Sequence, residues 1–161
     1  MLLFFIAQIS TASASCKVSS SRIINETIEV ISCDKGLNKT IQIGVDYWNN
    51  KGYDLIFNNK TIDCNNIEME EYNKIYFQIN NEKVKEADKN GSNYGARTIT
   101  WKNNLDNTFL YAITYAKDDY YSRSNLLGAH EIGHALGFKH VDDSCVGYIM
   151  NIRNSKMGTK F

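Results

Sequence analysis

All three histidines of the 161-residue chain, His130, His134 and His140, fall within the eleven residues HEIGHALGFKH, and Glu131 directly follows the first of them. His130 and His134 are four positions apart, so on a helix their imidazoles leave the same face one turn from each other and can share one metal ion. Glu131 sits about 100° further round that helix, where it reaches water beside the metal without being a ligand. Zinc held by three imidazoles, with a fourth position open, makes hydroxide available near neutral pH. A neighbouring carboxylate can take the proton and pass it to a leaving amine. That combination hydrolyses amides. Gly137 lies midway between His134 and His140. Glycine ends a helix by taking a left-handed conformation, so a turn is predicted there that returns His140 to the same ion. A bare HExxH occurs by chance and in ordinary helices, whereas HExxHxxGxxH fixes five positions. The competing reading, a closed structural zinc site, would more often add a fourth cysteine or histidine and would leave Glu131 without a role.

These residues need a helix and a scaffold behind it. SNLLGAHEIGHALGF, residues 124–138, reads as the helix, with Ile132 and Leu136 opposite His130 and His134 and turned to the core. RIINETIEVIS (22–32), YDLIFNN (53–59), KIYFQIN (74–80), ARTITWK (96–102) and FLYAITYA (109–116) read as strands separated by Asn-, Gly- and Asp-rich segments. Leu37, Ile41, Val45 and Trp48 recur at helical spacing, which predicts an amphipathic helix over about 38–51 that stops at Gly52. The order β-α-β-β-β-β-α predicts an α+β fold with an α/β-like start. It implies a mixed, twisted sheet of about five strands, backed by the first helix and carrying the active-site helix. In that topology the first two strands are parallel neighbours. Cys33 and Cys64 follow them at the same end of the sheet and are expected to pair, which leaves Cys16 with Cys145.

The remaining sequence narrows the class. Hydrophobic content of 43% and aromatic content of 12% fit a folded globule, and the length fits one domain. Eighteen basic residues balance eighteen acidic ones without a basic block, so neither nucleic acid nor an anionic membrane is an expected partner. MLLFFIAQISTASASC has the apolar core and small-residue site of a secretory signal. Residues 1–14 are read as the signal and 15–161 as the mature domain, although the usual basic residues before the apolar run are missing. A buried first strand is the alternative, and the run is too short to span a bilayer. Ser13 stands where a lipobox has leucine, which argues against a lipid anchor on Cys16. Four cysteines without a CxxC pair suit disulfides in an exported chain better than a zinc ribbon. Asp118 and Asp119 are candidate calcium ligands, with a solvated loop as the competing reading. Tyr111, Tyr115, Tyr120 and Tyr121 are candidates to line a cleft, with core or rim packing favoured for each. The four N-x-S/T triplets, at Asn25, Asn38, Asn59 and Asn90, are few enough for chance, and no glycosylation is inferred from them.

HEIGHALGFKH resembles the zinc signature of the metzincin clan of metallopeptidases, and most of all its matrixin-like branch. GYIMN resembles the methionine turn of that clan, with Met150 ten residues after His140. VDYWNNKGYDLIF is similar to the clan's first helix and second strand, and AITYAKDDYYSRSNLLGAHEIGH to its last strand running into the active-site helix. The likeness spans roughly residues 22–152, with specificity only in the zinc motif and the methionine turn. It implies zinc on His130, His134 and His140, Glu131 as general base, and Met150 as an apolar floor. It also implies ARTITWK as the edge strand that pairs with an extended peptide, and residues 141–149 as a pocket wall. The departures are specific. No cysteine-switch propeptide is visible, no histidine remains for a second zinc, and Ile152 stands where a tyrosine ligand would be. Only eleven residues follow Met150, which leaves little for a C-terminal helix. The expected protein is a secreted, monomeric zinc metalloendopeptidase. The alternatives are a zinc-dependent peptide-binding module on the same fold, or a surface effector.

Overall fold

In the computed structural model, residues 22–66, 71–86, 95–118, 124–141 and 148–151 are described. The expected signal segment, Cys16, Cys145, Asn90, Asp119, Tyr120, Tyr121 and Ile152 lie outside them, as does most of the expected pocket wall. Five strands form one mixed sheet: β1 (Ile28–Ser32), β2 (Leu55–Ile56), β3 (Lys74–Ile79), β4 (Ala96–Lys102) and β5 (Phe109–Ala116). Their spatial order is β2-β1-β3-β5-β4. The first four of these run parallel to one another, and β4 pairs antiparallel with β5 at the edge. The α+β class, the mixed five-stranded sheet and the parallel β1–β2 pair are as the sequence predicts.

Alternation along the strands sorts side chains to two faces. Ile75, Phe77, Ala112 and Ala116 join the main core with the two long helices. Ile31, Tyr76, Tyr111 and Ile113 form a smaller cluster on the other face. Tyr111 is buried there and stacks on Trp101 at 4.5 Å between centroids, and Tyr115 packs on the same cluster. Packing, the favoured reading of both tyrosines, is what they do.

Several boundaries are tighter than predicted. Regular pairing in the first strand begins only at Ile28, although Ile23 makes an isolated bridge to Thr108. The second strand shrinks to Leu55–Ile56, and the Asn49 side chain covers the N–H and the carbonyl of Leu55 on the side away from β1. A short helix, α2 (Asn81–Lys85), escapes periodicity analysis because it is barely longer than one turn. Asn80 caps it by accepting from the Lys83 N–H. Beyond β2, Ile62 N–H donates to the Ser32 carbonyl and keeps the returning chain beside β1. Cys33 and Cys64 meet there in a disulfide with Cα atoms 5.5 Å apart. The predicted partner bridge, Cys16–Cys145, lies outside the described residues.

Helix α1 (Asn38–Asn49) buries Ile41, Val45 and Trp48, and lies against α3 (Leu127–Ala135). The approach is close enough to require glycine on both helices. A Cβ on Gly44 would sit 2.6 Å from the Gly128 carbonyl carbon, and one on Gly128 would overlap the Thr40 carbonyl. Polar side chains complete the crossing. Thr40 Oγ1 accepts from the Gly128 N–H at 2.8 Å, and Trp48 Nε1–H donates to the Ala129 carbonyl at 2.7 Å. Gly128→Ala should therefore push the helices apart and destabilise the protein by about 3 kcal/mol. Urea titration measures this, and wild-type stability in the variant would show that the contact yields freely.

Candidate metal centre

Helix α3 has two glycines and no side-chain N-cap, so intrinsic propensity does little for it. Tertiary packing holds it instead: every residue from Leu127 to Ala135 is buried except His134, which is half-buried. Ile132 and Leu136 are fully buried, as the sequence predicts. The helix closes at Gly137, whose φ of 94° is the left-handed conformation expected of it. Phe138 N–H donates to the Gly133 carbonyl at 2.9 Å and Gly137 N–H to the His134 carbonyl at 3.0 Å. This pair of bonds defines a Schellman motif. The chain reverses and delivers His140.

The three imidazoles converge. Nε2 of His130 lies 3.1 Å from Nε2 of His134 and 3.1 Å from Nε2 of His140, and the last two are 3.0 Å apart. The distal nitrogens explain what this requires. His130 Nδ1–H donates to the Ile149 carbonyl at 2.8 Å and His134 Nδ1–H to the Phe138 carbonyl at 3.0 Å. Each neutral ring then turns a bare Nε2 lone pair inward, and two acceptors face each other with no proton between them. A cation resolves that repulsion. A point about 2 Å from all three nitrogens exists for a triangle of this size, which is the Zn–N bond length. Carbonyl acceptors behind ligand histidines are also the usual device for fixing ring orientation. These residues fit a metal ion. Among the described residues, this is the only group of three His, Cys, Asp or Glu side chains close enough to hold one, and Asp118 belongs to no such group.

Glu131 is 4% exposed and points toward the sheet edge. Thr98 Oγ1, on β4, lies 2.6 Å from Glu131 Oε2 and 2.8 Å from Thr114 Oγ1 on β5. With the carboxylate ionised, Thr98 donates to Glu131 and Thr114 donates to Thr98. With it protonated, both donations can reverse, so the pair suits either state. Burial pushes the Glu131 carboxyl above its ordinary range, opposed by His134, by the Thr98 hydrogen bond and by His140. The two threonines were not legible as site residues. Only the alternation of β4 hints that Thr98 faces the helices, and nothing local indicates its partner.

Met150 is fully buried, and a Cβ on Gly133 would overlap its Sδ and approach a Trp48 ring carbon at 2.7 Å. The methionine thus seats itself under α3 where the helix has no side chain. Val141 N–H donates to the Met150 carbonyl at 3.2 Å, so the chain leaving His140 is tied to the turn that carries the methionine.

Burial lowers the pKa of His130 to about 4, helped by repulsion from His134 and opposed by the Ile149 carbonyl. Partial burial, then His134 and His130, lowers His140 to about 4 as well, although its outer edge is exposed. Between about pH 6.5 and 4 the unfolded chain therefore binds protons on these rings that the folded metal-free chain does not. Their contribution to stability is complete above that window and is lost as the pH falls through it. Glu131, with its raised pKa, works in the opposite sense, one group against two. Metal binding also needs neutral rings, so acid would release an ion held there. Calorimetry of the chelated protein should show a melting temperature that falls from pH 7 to pH 4. A flat profile would contradict the burial of these imidazoles.

Comparisons of the chain with protein-family models, with curated proteins and with solved structures each returned no match. The functional reading rests on the site's own geometry.

Proposed function

We propose that this chain is a secreted zinc-dependent metalloendopeptidase of the metzincin type, monomeric and cleaving extended peptides. The observation that carries the proposal is the convergence of three Nε2 atoms, at 3.0–3.1 Å from one another, beside a buried carboxylate that is not one of the three. His130, His134 and His140 would hold the zinc. Bound there, zinc would supply Lewis acidity and bring the pKa of water to about 7. Glu131 takes the proton of the attacking water on its carboxylate and returns it to the leaving amine. The outer edge of β4, which no strand among the described residues covers and against which α3 packs, offers main-chain groups to a peptide lying antiparallel to it. Met150 supplies a rigid apolar floor. The Cys33–Cys64 disulfide supports an oxidising, extracellular setting. Among the described residues no helix is long and apolar enough to cross a membrane, which is compatible with release. Glu131 favours hydrolysis over peptide binding alone, since a binder needs no proton shuttle.

The test is digestion of a mixed peptide library by the reconstituted protein. Internal bonds should be cut, cutting should stop with a chelator, and added zinc should restore it. A zinc-loaded protein that leaves the whole library intact would overturn the proposal.

A further inference from the structure

We propose that Thr98, itself steadied by Thr114, is the positioning residue that fixes the Glu131 carboxylate for proton transfer; this rests on Glu131 being the general base. Among the described residues, Thr98 Oγ1 makes the only hydrogen bond to that carboxylate, at 2.6 Å to Oε2. A glutamate has three side-chain torsions, and burial alone does not select one setting of them. A hydroxyl held on a strand does. Thr98 and Thr114 are directly opposed in the antiparallel β4–β5 register, and their hydroxyls are 2.8 Å apart. Thr114 is fully buried on a strand paired on both sides, so it has nowhere to move. The line Thr114–Thr98–Glu131 therefore runs from the inside of the sheet, through the edge strand, to the catalytic helix. It engages Oε2, while Oε1 takes no hydrogen bond from the described residues. The two carboxylate oxygens are thereby given different tasks: Oε2 is the anchored one and Oε1 the one left for the water. The pairing of the Thr98 hydroxyl with α3 also gives the edge strand a polar tie to the helix that carries two of the three histidines.

Thr98→Val keeps the shape and the strand preference of the residue and removes the hydroxyl, and Thr98→Ser restores the hydroxyl alone. Two readouts are needed. In the metal-free proteins, the melting temperatures of wild type, Thr98→Val, Glu131→Leu and the double variant form a cycle. Thr98→Val should lower the melting temperature by about 3 °C or more when Glu131 is present, because a buried carboxylate loses its donor. The shift should be clearly smaller in the Glu131→Leu background, where only the Thr114 hydroxyl loses its partner. Equal shifts in both backgrounds would overturn the assignment. In the zinc-loaded protein, Thr98→Val should keep its zinc and lower kcat by about 10- to 100-fold, with KM within about two-fold. Thr98→Ser should recover most of the turnover. Wild-type kcat in Thr98→Val, or a Thr98→Ser variant as slow as it, would also overturn the assignment. If the wild type cleaves nothing, the peptidase reading falls by itself, and the metal-free cycle still decides whether Thr98 holds Glu131.

Discussion

Glu131→Gln should lower peptide turnover by about 10²- to 10⁴-fold, the range expected for losing a general base, while zinc content and fold remain. The substitution is nearly isosteric, which matters because Glu131 is 4% exposed and a smaller residue would leave a cavity. The amide can still meet Thr98 Oγ1, so the sheet-to-helix tie survives in weaker form. It cannot accept a proton from water. None of the three converging nitrogens belongs to residue 131, so metal affinity should change little. The measurement is steady-state cleavage of a peptide identified from the library, run beside metal analysis of the same sample. Unchanged turnover would remove Glu131 from the chemistry. Loss of zinc together with activity would show that the carboxylate supports the metal as well as the reaction.

His134→Ala should weaken zinc binding by more than about 100-fold, since loss of a supporting partner alone costs that much and this change removes a ligand. The wild type should hold one zinc per chain after reconstitution at neutral pH, and the variant should give it up on dialysis. The same substitution removes the charge that helps lower both neighbouring histidines, so His130 and His140 should titrate at higher pH in the metal-free variant. Proton-detected titration of the ring signals reads that second effect without any metal. A variant that keeps stoichiometric zinc would exclude His134 from the ligand set.

What could be read beforehand divides along a physical line. The histidine cluster was legible because its parts are local: helical period sets His130 and His134 on one face, and a single glycine turns the chain toward His140. The parallel β1–β2 pair and the Cys33–Cys64 bridge were legible because one strand-helix-strand unit determines both. Thr98 was not: the resemblance placed ARTITWK at the sheet edge, but pairing Thr98 with Thr114 and Glu131 needs two further non-local facts, that β4 runs antiparallel to β5 and that α3 packs on it. The shortened β2 was missed as well: strand propensity reads YDLIFNN as one strand and gives no sign that the Asn49 side chain covers the outer main chain of Leu55. The Gly44–Gly128 contact was invisible too, since two glycines in separate helices announce nothing until the helices cross.

The two long helices end alike. Gly52, with φ of 92°, and Tyr53 close α1 through bonds to the carbonyls of Asn49 and Trp48, just as Gly137 and Phe138 close α3. The residue after each glycine then rests on the same indole: Tyr53 meets Trp48 edge-on at 5.5 Å, and Phe138 lies over it at 4.7 Å. Phe138 is two residues from His140, and its carbonyl orients the His134 ring. Trp48 therefore reduces the freedom that two of the three imidazoles would otherwise surrender on coordination. The entropy of assembling the donors is largely met during folding, so an ion bound there would find them already placed. Affinity for a metal ion would in this sense be a property of α1, a helix that contributes none of the three histidines, and a change at Tyr53, far from them in sequence, would alter how tightly an ion is held.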